Sequence, residues 1–283
     1  MTAKIIDGRA ASAKVLEAVA SKVTALKKRG ITPGIAAVLV GDDAASALYV
    51  KMKTEKAKAA GFYGVTVQMP KSSTTAQVAA KIRELNADGK VHGILVQLPL
   101  PDQIDQNVVL NEIAVPKDSD GLTKASLGAL VAREEGLLPA TARAALELVK
   151  GTGVKLEGLN ACVIGQGVQT GRPIALLLLN ERCTVTICHS RTKNLKEIAA
   201  GADILVSCVG KEKFVTADMV KRGAIVVDVG IDKKPDGRVA GDVDFEAVRK
   251  VAGWVSPVPG GVGPMTVAML LLNTVEAAER ISQ

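Results

Sequence analysis

Aromatic residues are scarce in this chain. Its 283 residues hold six: Trp254, Tyr49, Tyr63, Phe62, Phe214 and Phe245. Proteins that grip single-stranded nucleic acid stack bases on aromatic side chains set among cations. The basic residues here are also dispersed, as in Lys51, Lys53, Lys56 and Lys58, with no Arg-rich tract. Nucleic acid is therefore not expected as a partner. Long apolar runs are missing too. None reaches the roughly 20 residues that span a bilayer, and the opening Met-Thr-Ala-Lys-Ile-Ile-Asp-Gly-Arg has no signal-peptide core. No membrane association is expected, and a cytoplasmic location is. Cysteine is sparse and unpaired in motif. Cys162, Cys183, Cys188 and Cys208 each lie in an apolar, strand-like run, and there is no Cys-x-x-Cys. Cys183 and Cys188 followed by His189 fit no common zinc spacing. They read as reduced core thiols, and no metal site is expected.

What is present points to a folded, ligand-binding chain. The hydrophobic fraction of 48% is ample for real cores, and the length favours two domains over one. The net charge of +7, with nucleic acid set aside, suits small anionic ligands.

Periodicity gives the organisation. Apolar residues at helical spacing (Val15, Leu16, Val19, Val23, Leu26) predict a helix over 7–29, ended by Gly30. Strands are predicted at 35–40, 63–68 and 93–96, with helices at 46–60 and 75–86 between them. Residues 105–150 read as mostly helical, broken by Pro116–Gly121 and by Leu138-Pro139. A second series follows: strands at 161–164, 183–188, 204–209 and 224–229, with a helix over 171–180. Alternating strands and helices imply parallel sheets with crossover helices. The fold class expected is α/β, in two domains. Each has a mostly parallel sheet flanked by helices, and the second is a Rossmann-type dinucleotide-binding domain. The boundaries expected are 1–138 plus 262–283 for the first and 139–261 for the second.

The stretch Pro257-Val-Pro-Gly-Gly-Val-Gly-Pro-Met-Thr266 holds three prolines and three glycines. That excludes an ordinary helix or central strand and fixes a loop of one shape. Pro264 suits the first turn of a helix over 265–281. The loop reads equally as a connector or as a backbone wall for a flat ligand. The closing helix has no strands of its own and is expected to pack back on the first block.

Gly165-Gln166-Gly167 and Gly171 follow a strand and open a helix, the setting in which backbone N–H groups hold a pyrophosphate. The next strand ends in His189-Ser190-Arg191-Thr192. No carboxylate stands there for a ribose 2′-hydroxyl. Ser190 and Arg191 would suit a 2′-phosphate, so the chemistry leans to NADP, unless Arg191 is simply solvated loop charge. Ile231 ends another strand at the ligand edge. Asp242 and Asp244 read as turn and helix-cap residues.

In the first block, Tyr49 and Lys53 stand i,i+4 on one helix face. A tyrosine and an amine so placed can stack on a flat ring and act on it, although an exposed lysine among lysines is the plainer reading. Gln97 follows a buried strand, in range of an amine such as that of Lys53. Asp120, in Lys117-Asp118-Ser119-Asp120-Gly121, could pair with an amidine-like ligand edge, or belong with Asp118 to a turn before Gly121.

Taken together, Ser46-x-x-Tyr49-Val50-x-x-Lys53, Gly93–Pro101, Lys117–Gly121, Gly165–Pro173, Asp228–Ile231, Gly241–Val243 and Pro257–Thr266 resemble the bifunctional methylenetetrahydrofolate dehydrogenase/cyclohydrolase family. The segments cover nearly the whole chain in the family's order. The resemblance implies oxidation of methylenetetrahydrofolate with NADP, then hydrolysis of the methenyl product to 10-formyltetrahydrofolate. It implies that Lys53 is the catalytic lysine of the hydrolysis, Tyr49 stacks on the folate, Gln97 tunes the lysine and Asp120 holds the pterin. Leu98, Pro99, Pro259, Gly260 and Gly261 would line the substrate, and Gly165, Gln166, Gly167, Ser190, Arg191 and Ile231 the cofactor. A cleft between the domains and a homodimer are also implied. Two places depart from the family pattern. The usual Gly-Arg-Ser turn reads Gly165-Gln166-Gly167, and the Pro-Cys-Thr-Pro hinge reads Pro139-Ala140-Thr141-Ala142.

Overall fold

The computed structural model describes residues 2–233 and 237–282. The chain is α/β and forms two compact units. One is Lys14–Ala140 with Val267–Gln283; the other is Met1–Ala13 with Thr141–Thr266. The strands are β1 (Lys4–Ile5), β2 (Gly34–Val40), β3 (Tyr63–Met69), β4 (Gly93–Val96), β5 (Asn160–Ile164), β6 (Thr184–Cys188), β7 (Ile204–Ser207), β8 (Ile225–Asp228), β9 (Asp232–Lys233), β10 (Val239–Ala240) and β11 (Trp254–Val255).

The unit containing Lys53 is built on a parallel three-stranded sheet in the order β3-β2-β4. The central β2 is buried at all seven positions, which explains its unbroken apolar run. Ala36, Val38 and Val40 of β2 pack with Ile94 and Val96 of β4 and with Val78, Ile82 and Leu85 of the helix Thr75–Ala87. That helix starts on a reciprocal cap between Thr74 and Gln77. The helix Ala44–Ala59 starts where the Asp43 carboxylate accepts from Ser46 N at 2.7 Å. Gly93 opens β4 because a Cβ there would overlap Ser119 Oγ and press on Thr274. The C-terminal helix is tied in by buried polar bonds. Thr274 Oγ1 lies 2.9 Å from Ser119 Oγ. Asn273 Nδ2 donates to the Ser119 and Leu138 carbonyls at 2.8 Å each. Each such bond contributes about 1 kcal/mol net, and more is lost if one partner is left buried alone.

The other unit carries a parallel sheet in the order β1-β11-β8-β7-β5-β6. Its strands from β5 to β8 are short and mostly apolar and buried, apart from Asn160 at the start of β5 and the exposed positions of β6. Cys162, Cys183 and Cys188 are buried free thiols, and Cys208 is half-buried. Cys162 Sγ lies 3.7 Å from Cys188 Sγ, and burial pushes the Cys162 thiol up to about 12.

The structure departs from the sequence reading in two places. Residues 1–13 sit with the second unit, not the first, because β1 pairs with β11 (Lys4↔Trp254, Ile5↔Val255). A two-residue strand carries no periodicity, so only the pairing reveals it. The C-terminal helix begins at Val262, inside the Gly/Pro stretch, and residues 262–266 belong to this same unit. The antiparallel pair β9–β10 had no sequence signal.

Candidate active site

In the first unit the structure brings Lys53 and Gln97 together. Gln97 N donates to the Val38 carbonyl at 2.8 Å and so continues the sheet for one residue past β4. Its side-chain amide donates to the Leu98 carbonyl at 2.7 Å, which leaves Oε1 as an acceptor. Lys53 Nζ donates to that oxygen at 3.2 Å. Both side chains are half-buried, as is Tyr49 one helical turn before Lys53. Leu98 is half-buried and Pro99 exposed, across a cis peptide bond.

Asp118 and Asp120 diverge. The Asp118 carboxylate is buried and accepts from Leu122 N (3.2 Å), Thr123 N (2.8 Å) and Ser126 Oγ (2.7 Å). It is a structural tie at the start of the helix Lys124–Ala132. Asp120 is placed by its backbone, whose carbonyl accepts from Ala140 N at 3.1 Å. Its carboxyl is shifted above the usual carboxylate range, chiefly by burial. Lys53 pulls the other way and the Asp118 charge adds to the rise. Asp120 therefore lies within the electrostatic reach of Lys53. Lys117 points away from this chemistry. Its Nζ donates to the Asn86 and Asp88 carbonyls at 2.8 and 2.9 Å, closing the end of the helix Thr75–Ala87.

In the other unit the glycine turn has the shape a phosphate loop needs. Gly165 has φ +113° and lies against the Cys208 carbonyl; a Cβ on Gly171 would overlap the Gly165 carbonyl. The helix Gly171–Asn180 can thus start directly against the turn. Gln166 and Gly167 are exposed. Sequence reading missed Arg172, whose Nε donates to the Gln166 carbonyl at 3.0 Å. That bond holds a guanidinium beside the turn that lacks the family's arginine. Its only signal was a cation one residue into the helix.

Beyond β6, the turn is braced by His189 N donating to Thr192 Oγ1 (2.8 Å), Thr192 N to the His189 carbonyl (2.9 Å) and Arg191 N to His189 Nδ1 (3.1 Å). Ser190 and Arg191 are exposed on this fixed turn. Ile231 is 47% exposed just past β8. Asp242 is buried in hydrogen bonds to Ser207, Val209 and Lys211, and Asp244 stands at the start of the helix Phe245–Val248. Pro259 is exposed, whereas Gly260 (φ +111°) and Gly261 are buried. Gly261 presses on Gly8, where a Cβ would overlap its carbonyl. Among the described residues, no group of three or more His, Cys, Asp or Glu gathers as a metal cluster, and no helix is long and apolar enough to cross a membrane.

Two family models cover this chain. "Tetrahydrofolate dehydrogenase/cyclohydrolase, catalytic domain" matches residues 6–120, and the family's "NAD(P)-binding domain" matches 139–282. This chain belongs to the tetrahydrofolate dehydrogenase/cyclohydrolase family. A bifunctional protein FolD of a Polaromonas species is 48% identical over 99% of this chain and 100% of its own length. The crystal structure of the FolD methylenetetrahydrofolate dehydrogenase/cyclohydrolase from Campylobacter jejuni has a TM-score of 0.96 at 43% identity, covering 98% of this chain and 99% of that one. The Trypanosoma brucei FolD, solved with NADP cofactor and inhibitor, has a TM-score of 0.96 at 37% identity, covering 100% of this chain and 99% of that one. Family membership thus joins the glycine turn and the Lys53–Gln97 pair in one protein.

Proposed function

We propose that this chain oxidises 5,10-methylenetetrahydrofolate to 5,10-methenyltetrahydrofolate with NADP, and then hydrolyses that cation to 10-formyltetrahydrofolate. The observation that carries the reading is the 3.2 Å bond from Lys53 Nζ to Gln97 Oε1 at the carboxyl end of β4, with Asp120 in its field. Hydrolysis adds water to the methenyl carbon and opens the ring, with loss of one proton. The Lys53 amine is suited to move that proton, and Gln97 holds the amine in place. Tyr49 stacks on the folate, and Asp120 accepts N–H bonds from the pterin. Leu98 and Pro99 line the same substrate. Pro259, Gly260 and Gly261 are assigned as folate contacts by the family resemblance.

NADP, when bound, supplies the hydride acceptor. The cradle formed by Gly165, Gln166, Gly167 and Gly171 fits its pyrophosphate, because Gly171 lets the helix N-terminus approach where a side chain would block it. Ser190 and Arg191 would hold the 2′-phosphate, with Arg172 adding a cation near the turn, and Ile231 would border the cofactor. On this reading, Lys14–Ala140 with Val267–Gln283 is the folate unit, and Met1–Ala13 with Thr141–Thr266 the NADP unit. The family resemblance supports a cytoplasmic homodimer, which light scattering of purified protein tests. The function is tested by assaying hydride transfer and methenyl hydrolysis separately, with NADP and NAD side by side. Both activities, with NADP preferred, are expected; absence of both defeats the proposal.

A further inference from the structure

Two adjacent buried carboxylates hold the loops beyond β7 and β8. Asp242 is fully buried. Its Oδ2 accepts from Ser207 Oγ (2.7 Å) and Val209 N (2.6 Å), and its Oδ1 from Lys211 N (2.8 Å). Asp228 is also buried. Its Oδ1 accepts from Gly230 N and Asp242 N (3.0 Å each), and its Oδ2 from Val243 N (2.8 Å). Asp228 N donates in turn to Ser256 Oγ at 2.8 Å. The pair also explains two glycines: a Cβ on Gly230 would overlap the Asp242 carboxylate, and one on Gly241 the Asp228 carboxylate.

Burying two like charges side by side is unfavourable unless each is fully hydrogen-bonded. Here six donors satisfy them, and those donors lie in three separate segments: 207–211, 230 and 242–243. The segments are thereby locked to one another from beneath. Their outer surfaces stay open, with Val209 41% and Ile231 47% exposed.

The strand order gives these loops a direction. In this sheet β5 carries the glycine turn, β6 lies on one side of it and β7 then β8 on the other. A dinucleotide whose pyrophosphate sat on the turn after β5 and whose 2′-phosphate met Ser190 and Arg191 after β6 would extend its other half toward β7 and β8. That half is the one that takes the hydride. We propose that Asp228 and Asp242 are positioning residues for hydride transfer, fixing the loops after β7 and β8 that receive the reactive end of the cofactor. The inference rests on the NADP reading above.

The test uses the full chain with Asp242→Asn and Asp228→Asn, which keep side-chain shape but set an amide donor against backbone donors. Three quantities are read on each protein: hydride transfer, methenyl hydrolysis, and NADP affinity by calorimetry. The expected result is a tenfold or greater fall in kcat for hydride transfer and weaker NADP binding, with hydrolysis within twofold of wild type, since water addition needs no hydride acceptor. Unchanged hydride transfer and NADP affinity would overturn the inference. So would an equal fall in both activities that tracks the folded fraction, because that marks a merely structural role. If the aspartate variants do not fold, Ser207→Ala removes a single donor to Asp242. A selective loss of hydride transfer of twofold or more then supports the inference, and no change overturns it. Wild-type protein inactive in both assays would remove the NADP reading itself, and this inference with it.

Discussion

At the edge of β7 and β8, Asp242 and Asp228 each accept three hydrogen bonds from protein donors. At the edge of β4, Lys53 and Gln97 share one bond of 3.2 Å, and the Lys53 charge partly offsets the rise that burial imposes on the Asp120 carboxyl. The contrast separates two uses of polar residues. Carboxylates satisfied by the protein's own backbone and serine donors hold loops. Half-buried groups that keep donors and acceptors unused can exchange them with a substrate. The same contrast recurs two residues apart, between Asp118, bound by three donors, and Asp120.

The frame that the saturated edge belongs to also carries the glycine turn after β5, and on the NADP unit Gly171→Ala carries the largest effect. Its Cβ would overlap the Gly165 carbonyl, whereas one on Gly167 meets open space. Overpacking of about 1–3 kcal/mol, if borne by the cradle, corresponds to about 5- to 150-fold weaker NADP binding for Gly171→Ala. Gly167→Ala should bind NADP nearly as wild type. Calorimetry on both variants checks this, and equal losses would contradict the cradle. Next comes Arg191→Ala, which removes one exposed cation. The KM for NADP should rise about tenfold, the equivalent of one charge-assisted contact of about 1.4 kcal/mol, while that for NAD stays unchanged. Equal KM values for the two cofactors in wild type, unaffected by the variant, would remove Ser190 and Arg191 from the cofactor site.

The smallest effect concerns pH. Burial raises the Asp228 carboxyl from 3.8 to about 6, against the backbone N–H bonds that favour its charged form. A raised acid takes up its proton in the folded state first. This group's contribution therefore favours folding below its unfolded value and is lost as pH rises through about 6. Melting temperatures of wild type and Asp228→Asn, compared from pH 4 to 7, should move apart in favour of wild type toward acid. A constant gap would show that Asp228 titrates in the ordinary range.

Much of the fold was legible because its elements are periodic. The helix Gly171–Asn180 and the strand β4 lie where the pattern places them. The misses have physical causes. β1 and β11 are two residues long and exist through pairing, not through any repeat. Pro264 reads as suited to the first turn, but the start at Val262 is missed by three residues because Gly260, Gly261 and Gly263 read as loop. In the candidate site, spacing and strand ends bring Tyr49, Lys53 and Gln97 into view as candidates, but a plain exposed lysine is the favoured reading of Lys53 until the family resemblance is added. The different roles of Asp118 and Asp120 could not be read, since both stand in one turn-like segment and only their donors distinguish them. Arg172 was missed for a similar reason: its bond to Gln166 depends on how the helix meets the turn.

If the loosely bonded edge does the chemistry and the saturated edge holds the frame, the two can be struck separately. Lys53→Met tests this division most directly, with methenyl hydrolysis measured beside the melting temperature. The expected result is a loss of about 100- to 10,000-fold in hydrolysis, the usual range for a missing acid–base group, with the melting temperature within about 2 °C of wild type. Hydrolysis at a near-wild-type rate in folded Lys53→Met would contradict the division.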